Sequence, residues 1–362
     1  MMNWSRRKFI GTMGSVMGGL SSSAAIRADV SQPKAVFIGD KRATVIDIHA
    51  HCVVPEIERL VKDTKLATVK FNPKQVLSPQ RLIEMDSRGI DIQVLSINRY
   101  WWYEADFELA KEIVKAHDLH LALWCAKNRK RFAALTSVAL QFPELAAQQL
   151  DYAVNRLGFR GASIAGHVLG EPLSSSRFDP FWAKAQELDV PVFMHPTGAA
   201  NVIREGALDG RGDLKNIIGN PLETTVFLSH LIFNGTLDRF PKLKICAPHA
   251  GGYLPSYLGR SEVACDVRSK ANCLNSKKPS AYLRDQITID SMIFSSQGLR
   301  HLVAEVGAKQ IVYGSDSPFN WPDTIDIIVN AEFLSPQEKL GILGGNLIEL
   351  LGLQSWLDSE EH

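Results

Sequence analysis

Short apolar runs alternate along the chain with longer amphipathic stretches. The apolar runs are rich in valine, isoleucine, leucine and phenylalanine, carry few charges, and span residues 44–49, 90–97, 131–140, 159–165, 190–195, 243–249, 286–290 and 310–316. Such runs are typical of strands buried on both faces of a parallel sheet. Helix-like segments follow them at residues 79–88, 106–128, 144–157, 179–188, 222–240, 254–264, 296–306 and 336–351.

This alternation of strands and helices predicts an α/β protein whose single domain is a (β/α)8 TIM barrel. We expect the barrel over residues 44–352, a linker or N-terminal extension at 29–43, and a C-terminal tail at 353–362. An open, doubly wound sheet is the alternative, which a count of strands does not exclude. The connections 52–78 and 197–221 are long, and in a barrel such loops are expected to cover the active face.

Two histidines at the end of the first predicted strand indicate a metal site. Because side chains alternate along a strand, His49 and His51 in the His-Ala-His sequence point to the same side. Neighbouring imidazoles on one rigid edge are good metal ligands. Unrelated histidines also occur at this spacing by chance, so the pair alone does not establish metal binding.

Further polar side chains end other predicted strands. His195 ends the fifth strand, His249 the sixth and Asp316 the eighth. Barrel enzymes place catalytic groups at the carboxyl ends of their strands. The alternative, a core histidine satisfied by the backbone, would have to hold separately at each strand end. We therefore predict that these residues, with His49 and His51, converge on one divalent metal ion.

Charge and cysteine content narrow the choice of function. With 40 Lys and Arg against 39 Asp and Glu, nothing indicates a nucleic-acid partner or an anionic membrane. The 5 cysteines include no C-x-x-C pair, which argues against a disulfide framework or a cysteine-type zinc site. Cys265 and Cys273 are close enough in sequence to form a disulfide bond, although nothing requires it.

The N-terminal segment is similar to a bacterial twin-arginine export signal. Ser5-Arg6-Arg7-Lys8-Phe9-Ile10 precedes a mildly apolar stretch, rich in Gly and Ser, that runs to Ala25. Residues 1–28 are therefore predicted to be an export signal for the periplasm. A basic tail without a targeting role is the alternative. The glycines make this stretch a poor membrane anchor, and no other segment is expected to form a stable membrane span.

The motifs at the strand ends resemble those of the amidohydrolase superfamily. They are H-x-H at His49 and His51, H-P at His195, H-A-G-G at His249 and G-S-D-x-P around Asp316. More narrowly, the chain looks like the branch that contains amino-carboxymuconate-semialdehyde decarboxylase and related aromatic acid decarboxylases. The likeness extends over about residues 44–352.

This resemblance implies a metal site and a reaction class. His49, His51, His195 and Asp316 would hold one zinc ion, with water in the remaining position. Manganese can substitute in some relatives, which often carry a carboxylate in place of the first histidine. His249 would be the general base, and Asp316 could also carry the proton. The implied reaction is decarboxylation of a small aromatic or unsaturated carboxylic acid. Hydrolysis of a lactone, ester or amide is the alternative.

The resemblance also implies contacts with a small carboxylate substrate. An arginine at the spacing of Arg260 reaches the neighbouring subunit's site in the resembled decarboxylase, which implies a homodimer; a surface salt bridge is the alternative. His167 matches a family position near the active face. Arg99 and Trp101 lie in an aromatic segment that could hold a planar substrate or form a packed lid or subunit contact. Thr197 replaces a tryptophan of the resembled enzyme, which puts that enzyme's own substrate in doubt.

Overall fold

The computed structural model describes residues 33–68, 70–98 and 100–359 and shows short strands alternating with helices. The strands are β1 (Val36–Ile38), β2 (Lys41–Ala43), β3 (Ile46–His51), β4 (Ile92–Ser96), β5 (Phe132–Ala134), β6 (Thr136–Ser137), β7 (Ala162–Ala165), β8 (His167–Val168), β9 (Glu171–Pro172), β10 (Pro191–His195), β11 (Lys244–Ala247), β12 (Ile287–Asp290) and β13 (Ile311–Val312). The predicted export signal lies outside the described residues.

The parallel strands close into a ring. The two parallel sheets have the orders β3-β4-β5 and β6-β7-β10-β11-β12-β13. β5 and β6 are two parts of one broken strand, and Leu135 between them donates its backbone N–H to Leu95 O at 2.9 Å. At the other edge, Ile48 N–H donates to Tyr313 O at 3.1 Å. This closed ring is the predicted (β/α)8 barrel, and it excludes the open sheet.

The helices lie between these strands and after the last of them. They are α1 (Ile57–Val61), α2 (Pro79–Arg88), α3 (Phe107–Lys127), α4 (Pro143–Leu157), α5 (Asp179–Glu187), α6 (Asn220–Phe233), α7 (Thr236–Arg239), α8 (Leu258–Val267), α9 (Pro279–Asp285), α10 (Ser296–Val306), α11 (Ile325–Val329), α12 (Pro336–Leu340), α13 (Asn346–Leu350) and α14 (Gln354–Asp358). Pro79, Pro143 and Pro336 are first residues of their helices, where a missing N–H breaks no helical hydrogen bond.

Two predicted helices are interrupted by glycine. The segment 222–240 is divided into α6 and α7, because Gly235 adopts a left-handed φ of 68°. The segment 336–351 contains a π-helical turn, Gly341–Gly345, between α12 and α13. A Cβ at Gly344 would lie 2.1 Å from Thr44 O, so only glycine lets this turn approach the start of the first barrel strand.

The packed domain extends beyond both predicted ends of the barrel. Val36 and Ala43, in the antiparallel hairpin β1–β2, are buried. At the other end, Leu353 is fully buried, and Trp356 and Leu357 of α14 pack against the barrel interior. The first residues of the predicted C-terminal tail are therefore a helix that caps the barrel, because their apolar side chains cover its amino-terminal end.

One disulfide bond is present among the described residues. Cys265 and Cys273 form it, so the pairing that the sequence left open does occur. Cys52 and Cys246 are free and buried, and Cys125 is free and half-buried. Within the described part of the chain, no helix has both the length and the apolar character that crossing a membrane requires.

Candidate metal centre and active site

The first barrel strand brings two imidazoles to one point. His49 and His51 lie at the carboxyl end of β3, and both are buried. Their Nε2 atoms are 3.2 Å apart, as the alternation of side chains along a strand predicts. Asp316 Oδ1 lies 3.2 Å from His49 Nε2 and 2.7 Å from His51 Nε2. Polar atoms from the first and last barrel strands therefore face one another.

A third imidazole comes from β10, whose last residue is His195. Its Nδ1 lies 2.8 Å from Pro196 O. Because a carbonyl oxygen can only accept, Nδ1 carries the proton and Nε2 keeps its lone pair. One ligand atom from each of His49, His51, His195 and Asp316 lies within 4.8 Å of the others. The structure therefore brings together four of the five residues that the strand ends indicated.

A buried carboxylate behind the cluster holds the proton of His49. Asp290, the last residue of β12, has Oδ2 2.8 Å from His49 Nδ1. Its other oxygen accepts the Ala250 N–H at 2.9 Å. A carboxylate opposite Nδ1 keeps the proton there and leaves Nε2 free to bind a metal. Sequence reasoning missed Asp290, although its position at a strand's carboxyl end was an available signal.

The charges of the cluster favour a bound cation. Burial lowers the pKa of His49, but the Asp316 and Asp290 carboxylates outweigh this effect and raise it to about 10. Burial raises the pKa of Asp316, but His49 and His51 hold it well below its usual range. The cluster therefore attracts positive charge, as a proton or a metal ion. Imidazole nitrogen and carboxylate oxygen are donors that suit a divalent ion such as zinc or manganese, so the residues fit one such ion.

Asp316 is held in an uncommon backbone conformation. Its φ is 54°, a left-handed value that is uncommon for non-glycine residues, although aspartate adopts it more often than most. The buried Asp47 on β3 anchors the preceding residue: this carboxylate accepts the Ser315 N–H at 3.0 Å and the Ser315 hydroxyl at 2.6 Å. It also accepts the His49 N–H at 3.0 Å. Asp47 thus joins the strand of His49 to the loop of Asp316, a role that the sequence did not reveal.

A buried arginine makes a second connection between the same two segments. Arg81 on α2 is 5% exposed. Its guanidinium donates to Ser317 Oγ at 3.1 Å and also to His51 O. The planar, forked group can hold both acceptors at once, which a lysine could not do with the same geometry. Sequence reasoning missed Arg81 because nothing in an amphipathic segment distinguishes an arginine that points inward.

His249 lies beside the cluster rather than within it. Its ring centroid is 5.3 Å from that of His49 and 5.4 Å from that of His195. Burial, assisted by the charge of His49, lowers the pKa of His249 to about 4. The imidazole is therefore neutral at pH 7 and can accept a proton. This is the position and protonation state that the predicted general base needs.

A buried carboxylate on α6 connects the loops that follow β7 and β10. Glu223 on α6 is 2% exposed, and its Oε2 accepts the Thr197 N–H at 3.0 Å. A Cβ at Gly166 would lie 2.6 Å from Glu223 Oε1. His167 Nε2 lies 3.4 Å from Thr197 Oγ1. Burial raises the pKa of Glu223 to about 7, although backbone hydrogen bonds act in the opposite direction. These side chains form a polar group at the exits of the two strands.

A cavity of about 1040 Å³ opens from the cluster. His51, His195 and Asp316 line it, and residues 196–220 supply much of its wall. The second long connection therefore covers the active face, as predicted. Phe319 adds an aromatic surface, with its ring centroid 5.0 Å from that of His51. The volume and mixed lining suit a small organic ligand.

The predicted substrate residues occupy different positions. Trp101 is 5% exposed, does not line this cavity, and donates its indole N–H to Ser163 O at 2.8 Å. These contacts favour the alternative in which the aromatic segment around Trp101 is packed within the protein and does not hold the substrate. Arg260 is exposed on α8 and is not among the described residues that line the cavity of its own chain. Arg99 lies outside the described residues.

Comparison with known proteins identifies similar sequences and structures. A family model described as Amidohydrolase matches residues 46–353. The 2-amino-3-carboxymuconate-6-semialdehyde decarboxylase of Dictyostelium discoideum is 30% identical over 75% of this chain and 76% of its own length. The gamma-resorcylate decarboxylase of Rhizobium radiobacter is 30% identical over 72% of this chain and 83% of its own length. Among solved structures, a similar one is dihydroxybenzoic acid decarboxylase from Polaromonas sp. JS666, with bound manganese and the inhibitor 2-nitroresorcinol. The superposition has a TM-score of 0.75 at 25% sequence identity, and it covers 88% of this chain and 100% of the Polaromonas chain. The predicted resemblance to carboxy-lyases is thus confirmed.

Replacing Asp290 with Asn should weaken metal binding without removing a ligand. An amide N–H₂ opposite His49 Nδ1 would favour the tautomer that carries its proton on Nε2, the ligand atom. We expect the metal dissociation constant to rise about 10- to 100-fold, measured by competition with a chelator. Asp285→Asn, at the exposed end of α9, is the matched control. Equal affinity in Asp290→Asn and the unaltered protein would contradict this role.

Replacing Glu223 with Gln should change how stability depends on pH. Between pH 4.5 and about 7 the folded protein holds a proton on Glu223 that the unfolded chain has lost. The free energy of unfolding of the unaltered protein should therefore fall with rising pH relative to Glu223→Gln, by on the order of 3 kcal/mol, and level off above pH 7. Urea unfolding at fixed metal concentration measures this. Glu108→Gln, at an exposed site on α3, is the control and should not alter the dependence of unfolding free energy on pH. If Glu223→Gln and the unaltered protein show the same dependence, the raised pKa of Glu223 is disproved.

Proposed function

The chain belongs to the amidohydrolase family, and from that premise we propose that it is a metal-dependent carboxy-lyase acting on a small aromatic or unsaturated carboxylic acid. One observation carries the proposal: His49, His51, His195 and Asp316 converge, with His249 beside them, on a cavity large enough for such an acid. Decarboxylases that are 30% identical over 75% and 72% of this chain support the reaction class.

We propose zinc as the resident ion. Three imidazoles and one carboxylate form the cluster, and zinc favours nitrogen-rich sites of this kind. Manganese is the alternative, and the related Polaromonas structure contains it. Metal analysis of protein produced without added metal distinguishes the two ions. Protein that takes up neither would overturn the proposed site.

The bound ion would supply positive charge that polarises the substrate. His249 would act as the proton carrier, because it is neutral at pH 7 and its ring lies 5.4 Å from that of His195, which lines the cavity. Once protonated, it would deliver the proton to the substrate carbon that bears the carboxylate. A carbon–hydrogen bond then forms, the bond to the carboxylate breaks, and carbon dioxide leaves. Asp316, whose carboxylate is ionised, would stabilise the charged imidazole or pass the proton on.

His167 is proposed to contact a polar substituent of the substrate. The Gly170 N–H donates to His167 Nδ1 at 2.9 Å, so neutral His167 carries its proton on Nε2. That nitrogen lies beside Thr197, which lines the cavity. A hydroxyl or carbonyl group on the substrate could accept from it.

Carbon dioxide release from a panel of aromatic carboxylates tests the reaction class. We expect at least one member to be decarboxylated, and we expect no turnover of a parallel panel of lactones, esters and amides. If only the second panel is turned over, the protein is a metal-dependent hydrolase and the proposed lyase activity is wrong.

Replacing His249 with Ala should separate proton transfer from metal binding. Loss of a general acid–base group lowers rates by about 10²- to 10⁴-fold, so we expect a fall of that size in carbon dioxide release. Metal content should stay near one ion per chain, because His249 is outside the ligand cluster. His301→Ala, at a partly exposed position on α10, is the control. Loss of metal together with activity would make His249 a ligand.

A homodimer is proposed around α8. Tyr257, Val263 and Val267 are 64%, 48% and 69% exposed. Val263 and Val267 follow Arg260 along α8 at helical spacing, which places them on its side of the helix. Exposed apolar side chains around an arginine suit a subunit interface. We expect sedimentation to show a dimer and Arg260→Ala to raise KM. A fully active monomer would refute this arrangement.

Export through the twin-arginine route is proposed for residues 1–28. The Arg6-Arg7 sequence supports it, as does the disulfide bond between Cys265 and Cys273, because disulfides persist in oxidising compartments. A reporter fused to residues 1–30 should reach the periplasm of a competent host, whereas the fusion with Arg6→Lys and Arg7→Lys should remain inside. Retention of the unaltered fusion would disprove the signal.

A further inference from the structure

A second cavity lies at the opposite end of the barrel from the metal cluster. Its volume is about 340 Å³, and the end of α3, the start of β5, the turn before β7 and α14 surround it. Phe132, the first residue of β5, lines it, whereas the cluster stands at the carboxyl ends of the strands. The two cavities therefore open on opposite faces.

The charged side chains that line this cavity are all basic. They are Arg129, Lys130 and Arg160, and no aspartate or glutamate lines it among the described residues. Lys130 Nζ donates to Leu357 O at 3.2 Å, and Arg160 Nη1 donates to Gly352 O at 3.3 Å. Within the described part of the chain, none of the three forms a salt bridge with a carboxylate. The cavity thus concentrates positive charge that is not paired with a carboxylate among the described residues.

The end of α3 accounts for only part of this charge. Arg129 and Lys130 follow that helix closely, and cations near a helix C-terminus interact favourably with the helix dipole. Arg160 lies elsewhere, in the turn between α4 and β7. Burial lowers the pKa of Arg160, because its charged form has lost part of its contact with water. An anion in the cavity would supply a partner for this charge.

The rest of the lining is apolar and aromatic. Phe132 and Phe159 form part of it, together with Trp356 of α14, which is half-buried. Planar rings pack favourably on such surfaces, and the volume lies near the lower end of the range for ligand pockets. Basic groups beside an aromatic surface match a molecule with a ring and a carboxylate. We propose that this cavity is a binding site for a small aromatic carboxylate, separate from the metal centre and independent of the proposed reaction.

Alkylation of Cys125 reports on this site, because its half-buried thiol lines the cavity. The other free cysteines, Cys52 and Cys246, are fully buried and report on global opening. The probe is benzoate, added to the full chain under non-reducing conditions, with peptide mass spectrometry as the readout. At about ten times its dissociation constant, benzoate should slow alkylation of Cys125 about tenfold. Alkylation of Cys52 and Cys246 should be unaffected.

Two substitutions test the charges. Arg160→Gln should raise the benzoate concentration needed for protection about tenfold or more, the cost of losing a charge-assisted hydrogen bond. Arg129→Gln, at an exposed position that should not disturb folding, should raise it by a smaller factor in the same direction. Arg156→Gln, one turn earlier on the surface of α4, should leave protection unchanged.

Several results would overturn the proposal. Equal protection by neutral benzamide would show that the charge has no role. Equal protection by inorganic phosphate would make this an inorganic-anion site. Protection that survives both Arg160→Gln and Arg129→Gln would place benzoate elsewhere. A chain shortened to end at Ser359 is a further test. If benzoate protects Cys125 in that chain but not in the full chain, the occupant of the cavity is the segment 360–362, which carries two glutamates.

Discussion

Closure of the barrel between its first and last strands is the constraint on which the metal centre depends. His49 and His51 come from the first strand and Asp316 from the end of the last. Their approach to within hydrogen-bonding distance exists only because the last strand returns beside the first. Asp47 and Arg81 reinforce this seam with buried hydrogen bonds. A ring that failed to close would separate the carboxylate from the imidazoles.

Residues around the cluster set the tautomers and the charge of its histidines. Asp290 and the Pro196 carbonyl each hold a proton on the Nδ1 atom of a histidine, which leaves Nε2 as a donor of electrons to a metal. The buried carboxylates give the cluster its attraction for positive charge, as the raised pKa of His49 indicates. His249 has no carboxylate among the described residues within hydrogen-bonding distance of its ring and stays neutral, which would separate the proposed proton carrier from the proposed ligands.

Differences in the cavity wall would adapt this common centre to its own substrate. Thr197, Glu223 and His167 form a hydrogen-bonded group at the exits of two neighbouring strands. Thr197 is the member of this group that lines the cavity, and its hydroxyl would favour a substrate with a hydroxyl or carbonyl group, whereas an aromatic side chain there would favour stacking. Segment 196–220, which supplies much of the wall, is a loop and can vary without disturbing the barrel.

The sequence by itself determined the alternation of strands and helices and the polar residues that end the strands. A parallel strand buried on both faces needs an apolar run, and its carboxyl end is where a barrel exposes polar groups, so His195 and Asp316 could be assigned locally. Only the tertiary structure decided the roles of Asp290, Arg81 and Glu223. A lone charged residue has no local pattern, and its partner is distant in the chain. The burial of Trp101 and Leu353 could not be predicted for the same reason. Whether an apolar side chain contacts a ligand, the solvent or the core depends on which distant surface folds against it.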